Sequence, residues 1–114
     1  MLSIENLKEY GADVEEGLTR CYNNEEFYLK LVAMILDEPS FGALKKAIED
    51  NDLTAAFEAA HGLKGVTANL ALSPLSDPVI EITELLRSRT EMDYGPLMTR
   101  IDEAYKRLEE LIRE

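Results

Sequence analysis

Leu97, Ile101, Ala104, Leu108 and Leu111 follow one another at intervals of four, three, four and three residues. At about 100° per residue this spacing gathers them on one narrow helical face, whereas a strand would send alternate residues to opposite sides. Such a face is a bundle seam, and the same spacing would also serve a dimer seam. Asp102, Glu103, Glu109 and Glu110 fill the positions between, which weighs against an anionic lipid surface. The closing third of the chain is therefore a helix that must bury one stripe.

Similar steps recur upstream. Leu53, Ala56, Ala60, Leu63, Thr67 and Leu70 predict a helix over 53–72, with Asp52 as its cap. Ser73-Pro74 reads as a capping serine before a proline at the first helical position, opening a helix to about Ser88 that buries Leu75, Val79, Ile82 and Leu86. Pro78 removes one hydrogen bond from its first turns and should bend them. Residues 89–95 are the last loop. Towards the N-terminus, Ser3 caps a short helix that Gly11 stops near Tyr10, and Asp13 caps another, Val14 to about Tyr22. Glu25 to Leu36 is apolar nearly all round, so one side faces the core and the other lies under the N-terminal pieces or at a docking face. After the break at Asp37-Glu38-Pro39-Ser40, Phe41–Glu49 turns Leu44 and Ile48 inward and Lys45-Lys46 outward. The expected fold is all-α: an antiparallel four-helix bundle with short additional N-terminal helices. It forms one domain over 1–114, residues 1–22 being the helical cover and 24–114 the bundle.

Composition narrows the function. No apolar run reaches the roughly 18 residues of a membrane span, and Glu5 and Glu9 stand where a signal peptide needs positive charge. The single Cys21 excludes an intrachain disulfide, and together these features place the protein in the cytoplasm, away from membranes. The net charge of −11 repels nucleic-acid phosphate. That charge is unevenly spread: −7 over 1–52 and −4 over 73–114, but zero over 53–72, where Glu58 and Lys64 stand alone. A nearly neutral strip in an acidic frame can accept another protein without desolvating many charges, although a central bundle helix is often short of charge for structural reasons alone.

The strip carries the only histidine, His61, pointing roughly 140° away from the centre of the apolar face. Lys64, Gly65 and Ala68 share its side. One histidine without further ligands makes no zinc site, and Met34, Met92 and Met98 are too scattered for a metal. There is no glycine-rich phosphate loop and no nucleophile elbow, and acid pairs such as Glu15-Glu16 and Glu109-Glu110 read as solvated helix charges. What remains is the imidazole as a nucleophile towards phosphorus, with Lys64 as a point charge for phosphoryl oxygens and Gly65 as a gap through which a bulky partner approaches. Gly62 and Gly65 each cost about 1 kcal/mol against alanine inside a helix, so two within four residues need a reason.

Ala60-His61-Gly62-Leu63-Lys64-Gly65-Val66-Thr67-Ala68-Asn69-Leu70 resembles the signature of the histidine-containing phosphotransfer (HPt) domain, in which the accepting histidine is followed at three by lysine and at four by glycine. The stretch from Gly11 to Cys21, then Phe27-Tyr28-Leu29, is similar to the N-terminal part of stand-alone members. Two departures are Ala71, where glycine is common, and Pro78, where proline is unusual. The resemblance implies a phosphorelay intermediate. His61 takes a phosphoryl group from the aspartyl phosphate of a receiver domain, or from a kinase acting in trans, and passes it to another receiver. Lys64 neutralises charge, and Phe57, Gly65, Ala68 and Asn69 line the docking strip. It also implies a monomeric phosphocarrier rather than an enzyme, with no cofactor of its own. The Mg²⁺ and most catalytic groups come with the partner, a response-regulator receiver or a hybrid histidine kinase. The competing reading is an HPt-like adaptor that binds such domains without being phosphorylated.

Overall fold

Ser3 opens the first helix, α1 (Ile4–Tyr10), as half of a reciprocal cap in which its hydroxyl accepts from the Asn6 amide and the Asn6 side chain accepts from its own. The computed structural model describes all 114 residues. Asp13, Asn24 and Asp52 cap α2 (Val14–Arg20), α3 (Glu25–Met34) and α5 (Leu53–Asn69) with side-chain oxygens three residues ahead of the amides they receive. Between them α4 (Ser40–Glu49) begins at Pro39 without a side-chain cap, and α6 (Ser73–Arg87) and α7 (Gly95–Arg113) complete an all-helical chain.

Three boundaries differ from the sequence reading. The apolar helix that starts at Glu25 leaves α geometry after Met34, and Ile35–Asp37 form a single 3₁₀ turn ahead of Pro39. The long central helix ends at Asn69, not near residue 72. Ser73 does not cap the next helix but is its first residue. The cap position belongs to Leu72, whose buried side chain has no oxygen to offer, and Pro74 sits one place further in. A capping serine was expected because Ser-Pro is a good start signal, but burial of Leu72 moved the helix start forward by one residue.

Five of the connections share one C-terminal device. After α1, α2, α4, α5 and α6 the chain turns back through an amide that donates five residues upstream: Ala12 to Leu7, Asn23 to Leu18, Asp52 to Ala47, Leu72 to Thr67 and Thr90 to Leu85. The residue before each donor is left-handed, with φ of 111° at Gly11, 60° at Tyr22, 55° at Asn51, 54° at Ala71 and 52° at Arg89.

These tight turns lay α4 against α5, α5 against α6 and α6 against α7, so that neighbours run antiparallel. The ring closes where Phe41 of α4 meets Tyr105 of α7 at 4.9 Å between ring centroids, and Tyr105 donates to the Leu36 carbonyl. Inside it Leu44, Ala60, Leu63, Leu75, Val79, Ile82, Ile101 and Leu108 lose all or nearly all contact with water. Pro78 is buried too, and α6 continues through it.

The first three helices wrap this bundle. Buried Tyr10 donates to the Ala104 carbonyl at 2.9 Å while Arg107 stacks on its ring, fastening α1 to α7. Gly17 lies flush on Tyr28, where a Cβ would come within 2.5 Å of the ring. The Tyr28 hydroxyl donates to the Leu70 carbonyl at 2.8 Å, and the Asp13 amide to Ala71 at 2.9 Å. The wrap therefore grips the turn that follows α5.

Candidate functional site

Alanine dominates the N-terminal half of α5, and that decides what the helix can present. Ala56, Ala59 and Ala60 are buried and let α4 and α6 approach closely on either side, leaving one outward strip. His61 is exposed on that strip, on the middle of a 17-residue helix rather than on a loop. A histidine there is positioned by backbone hydrogen bonds on both sides of it and has little freedom to retreat.

Its ring has one close companion. Phe57, one turn earlier, lies nearly parallel to the imidazole, with centroids 5.6 Å apart and planes 26° apart. The Arg87 guanidinium from α6 also lies over the Phe57 ring, 5.1 Å from its centre. Arg87 is in turn held by Glu84, with Nε 3.1 Å from Oε2. That bond keeps the Glu84 carboxyl below the ordinary carboxylate range, and the positive charges of Arg87 and Lys64 act in the same direction. Phe57 thus contacts both the guanidinium from α6 and the imidazole of its own helix. Phe57, expected to be part of a docking strip, is half-buried and also braces the histidine.

Gly65 and Gly62 behave differently from a packing glycine. A Cβ at Gly65 would meet nothing within 4 Å, and one at Gly62 would only touch the Ser40 hydroxyl at 3.9 Å. Neither is needed for the helices to come together. At Gly65 the missing side chain leaves open space on the histidine side of α5, next to half-buried Lys64, which makes no salt bridge. Ala68 is half-buried a turn further on, and Asn69 is exposed at the end of the helix.

Glu84 and Arg87 were not foreseen from the sequence, nor was Arg20, whose Nη1 donates to Asn69 Oδ1 at 3.2 Å. Arg87 stood on the outward side of a helix whose buried residues were legible, but nothing in the chain says which ring it will cover. Arg20 lies 49 positions from its partner, beyond the reach of local periodicity. No group of histidine, cysteine and acidic side chains is arranged to hold a metal ion. No helix is long and apolar enough to cross a membrane.

A family model described as the Hpt domain matches residues 38–111, from the end of the 3₁₀ turn to the last turn of α7. Comparison with curated proteins and with solved structures finds no match to this chain.

Proposed function

From the premise that this chain belongs to the Hpt domain family, whose members carry phosphoryl groups in phosphorelays, we propose that His61 is the phosphoacceptor and that receiver domains are its donors and takers. What carries the reading is the surface around the only imidazole: exposed, braced by Phe57, and beside a glycine that nothing inside the molecule requires.

In the forward step the lone pair of a neutral ring nitrogen attacks the phosphorus of an aspartyl phosphate. The N–P bond forms as the acyl O–P bond breaks, and the electron pair of that bond leaves on the aspartate carboxylate. The ring, now an imidazolium, returns to neutrality by releasing its remaining N–H proton to water. Little covalent work falls to this protein, because phosphoryl transfer depends mainly on alignment and charge neutralisation. Phe57 supplies alignment by limiting the imidazole to rotamers that keep the stack. Lys64 supplies a positive charge from one turn away to oxygens that gain negative character. The Mg²⁺ that such a transfer uses comes with the receiver, and the protein works as a phosphocarrier in the cytoplasm.

Incubation with a phosphorylated receiver domain and Mg²⁺ tests the proposal. Label should move to this chain in an acid-labile, base-stable form, and His61→Gln should abolish it without loss of helix content. Equal labelling of the variant would refute the assignment, and stable binding without any label would leave an adaptor.

A further inference from the structure

Beside the histidine strip, between α3 and the end of α5, the surface dips twice. One depression of about 280 Å³ is walled by Leu31, Met34, Ile35, Val66 and Glu38, and the adjoining one of about 390 Å³ by Cys21, Phe27 and Arg20. Leu31, Leu70 and Asn69 are common to both, so they form the ridge between them. Asn69 is the ridge's only polar side chain. Its orientation is fixed by elementary chemistry: a guanidinium only donates, so the atom facing Arg20 is the carboxamide oxygen. Arg20 is itself anchored by Glu16, with Nε 2.8 Å from Oε1. The two N–H groups of Asn69 consequently turn away from Arg20, and they have no partner in the chain.

We propose that Asn69 is a specificity-determining hydrogen-bond donor for the receiver domain, with Arg20 as the residue that positions it. This rests on the reading of His61 as phosphoacceptor. The occupant follows from size. A stable interface covers roughly 800 Å² on each partner, a patch about 30 Å across. Asn69 is eight residues from His61, about 12 Å along the helix and roughly 80° around it, so a domain seated over the imidazole reaches it towards the edge of such a patch. Once covered, the amide needs an acceptor, and the mainly apolar depressions flanking it, each with one charged residue at Glu38 or Arg20, favour a partner with apolar side chains on both sides of that acceptor. A receiver that lacks a carbonyl or carboxylate oxygen at this point strands the donor and binds less well, which is how a single polar group discriminates inside an apolar contact.

Asn69→Asp is the informative variant, since it keeps an oxygen towards Arg20 and replaces the outward donors with an acceptor. The probe is the phosphorylated receiver, among those of the same genome, that labels the wild-type protein fastest. KM for that receiver should rise roughly tenfold with kcat little changed, in 0.1 M and in 0.5 M salt alike. Arg20→Met should raise KM about threefold by freeing the amide to rotate. Labelling of His61 by phosphoramidate, which needs no docking, should stay at the wild-type rate in both variants. An unchanged KM for Asn69→Asp, or a rise that disappears at high salt, overturns the assignment of Asn69 while leaving His61 intact. A wild-type chain that takes label from no receiver overturns both.

Discussion

Gly65→Ala should make this protein more stable and worse at its task. The added methyl meets nothing within 4 Å, so it brings no clash and no burial, only the better helix propensity of alanine, worth about 1 kcal/mol. A chain of 114 residues has an unfolding entropy near 0.24 kcal/mol/K at about 2.1 cal/mol/K per residue, so the melting temperature should rise about 4 °C. Gly62→Ala should give a similar gain, because its methyl reaches ordinary contact with Ser40 and no closer. The two part company in function. Residue 65 stands about 40° from His61 around the helix, and its Cα–Cβ bond tilts back towards the N-terminus, over the turn that carries the imidazole. Residue 62 lies about 100° away, towards α4. Against a close-fitting partner an extra methyl costs about 1–3 kcal/mol, which slows transfer from a phosphorylated receiver roughly 5- to 150-fold. Gly62→Ala should transfer near the wild-type rate, and both variants should react normally with phosphoramidate. Thermal melts and single-turnover transfer decide the matter. A Gly65→Ala protein that melts lower, or that transfers as fast as wild type, would show that the open space beside His61 serves no partner.

Other expectations follow from contacts further out. Tyr28→Phe leaves the Leu70 carbonyl without its buried donor and should cost about 1–3 kcal/mol, read as a melting temperature lower by roughly 4–12 °C. Burial pushes Tyr28 and Tyr10 up to about 12, so both favour the folded state while protonated. Their contribution is complete below pH 10 and drains away between pH 10 and 12, and denaturation at graded alkaline pH should show a smaller loss for Tyr28→Phe. Arg87→Met, which removes the guanidinium from Phe57 and the exposed pair with Glu84, should change stability by no more than about 0.5 kcal/mol yet slow transfer by loosening the imidazole. Equal rates for Arg87→Met and wild type would take the stack out of the mechanism.

The helices and their inward faces were legible because periodicity is local: Leu75, Val79, Ile82 and Leu86 fall on the buried side of α6, and Leu97, Ile101, Ala104 and Leu108 on that of α7. So were the caps at Ser3, Asp13 and Asp52, where a short oxygen-bearing side chain stands before an apolar run. The exposure of His61 came from the same count of residues around the turn. The Arg87–Phe57 and Arg20–Asn69 contacts were not, since each joins two elements by a long flexible cation whose direction is settled only by the packed structure.

Helix ends were the least legible of the local features, and Ala71 shows why. The turn after α5 needs a left-handed residue whatever the side chain, because the Leu72 amide must return to Thr67 while the Ala71 and Leu70 carbonyls point at Asp13 and Tyr28. Glycine would remove the roughly 1–2 kcal/mol that an L-residue pays in that conformation. Alanine, which as a residue is only 7% exposed, recovers about 0.8 kcal/mol by burying its methyl and another 0.4–1 kcal/mol by restricting the unfolded chain. The two sides nearly cancel. Tertiary hydrogen bonds from the N-terminal wrap then decide the turn, and they do so through residues 13 and 28, both outside the stretch matched by the family model. A segment outside the matched stretch therefore holds the end of the helix that displays His61.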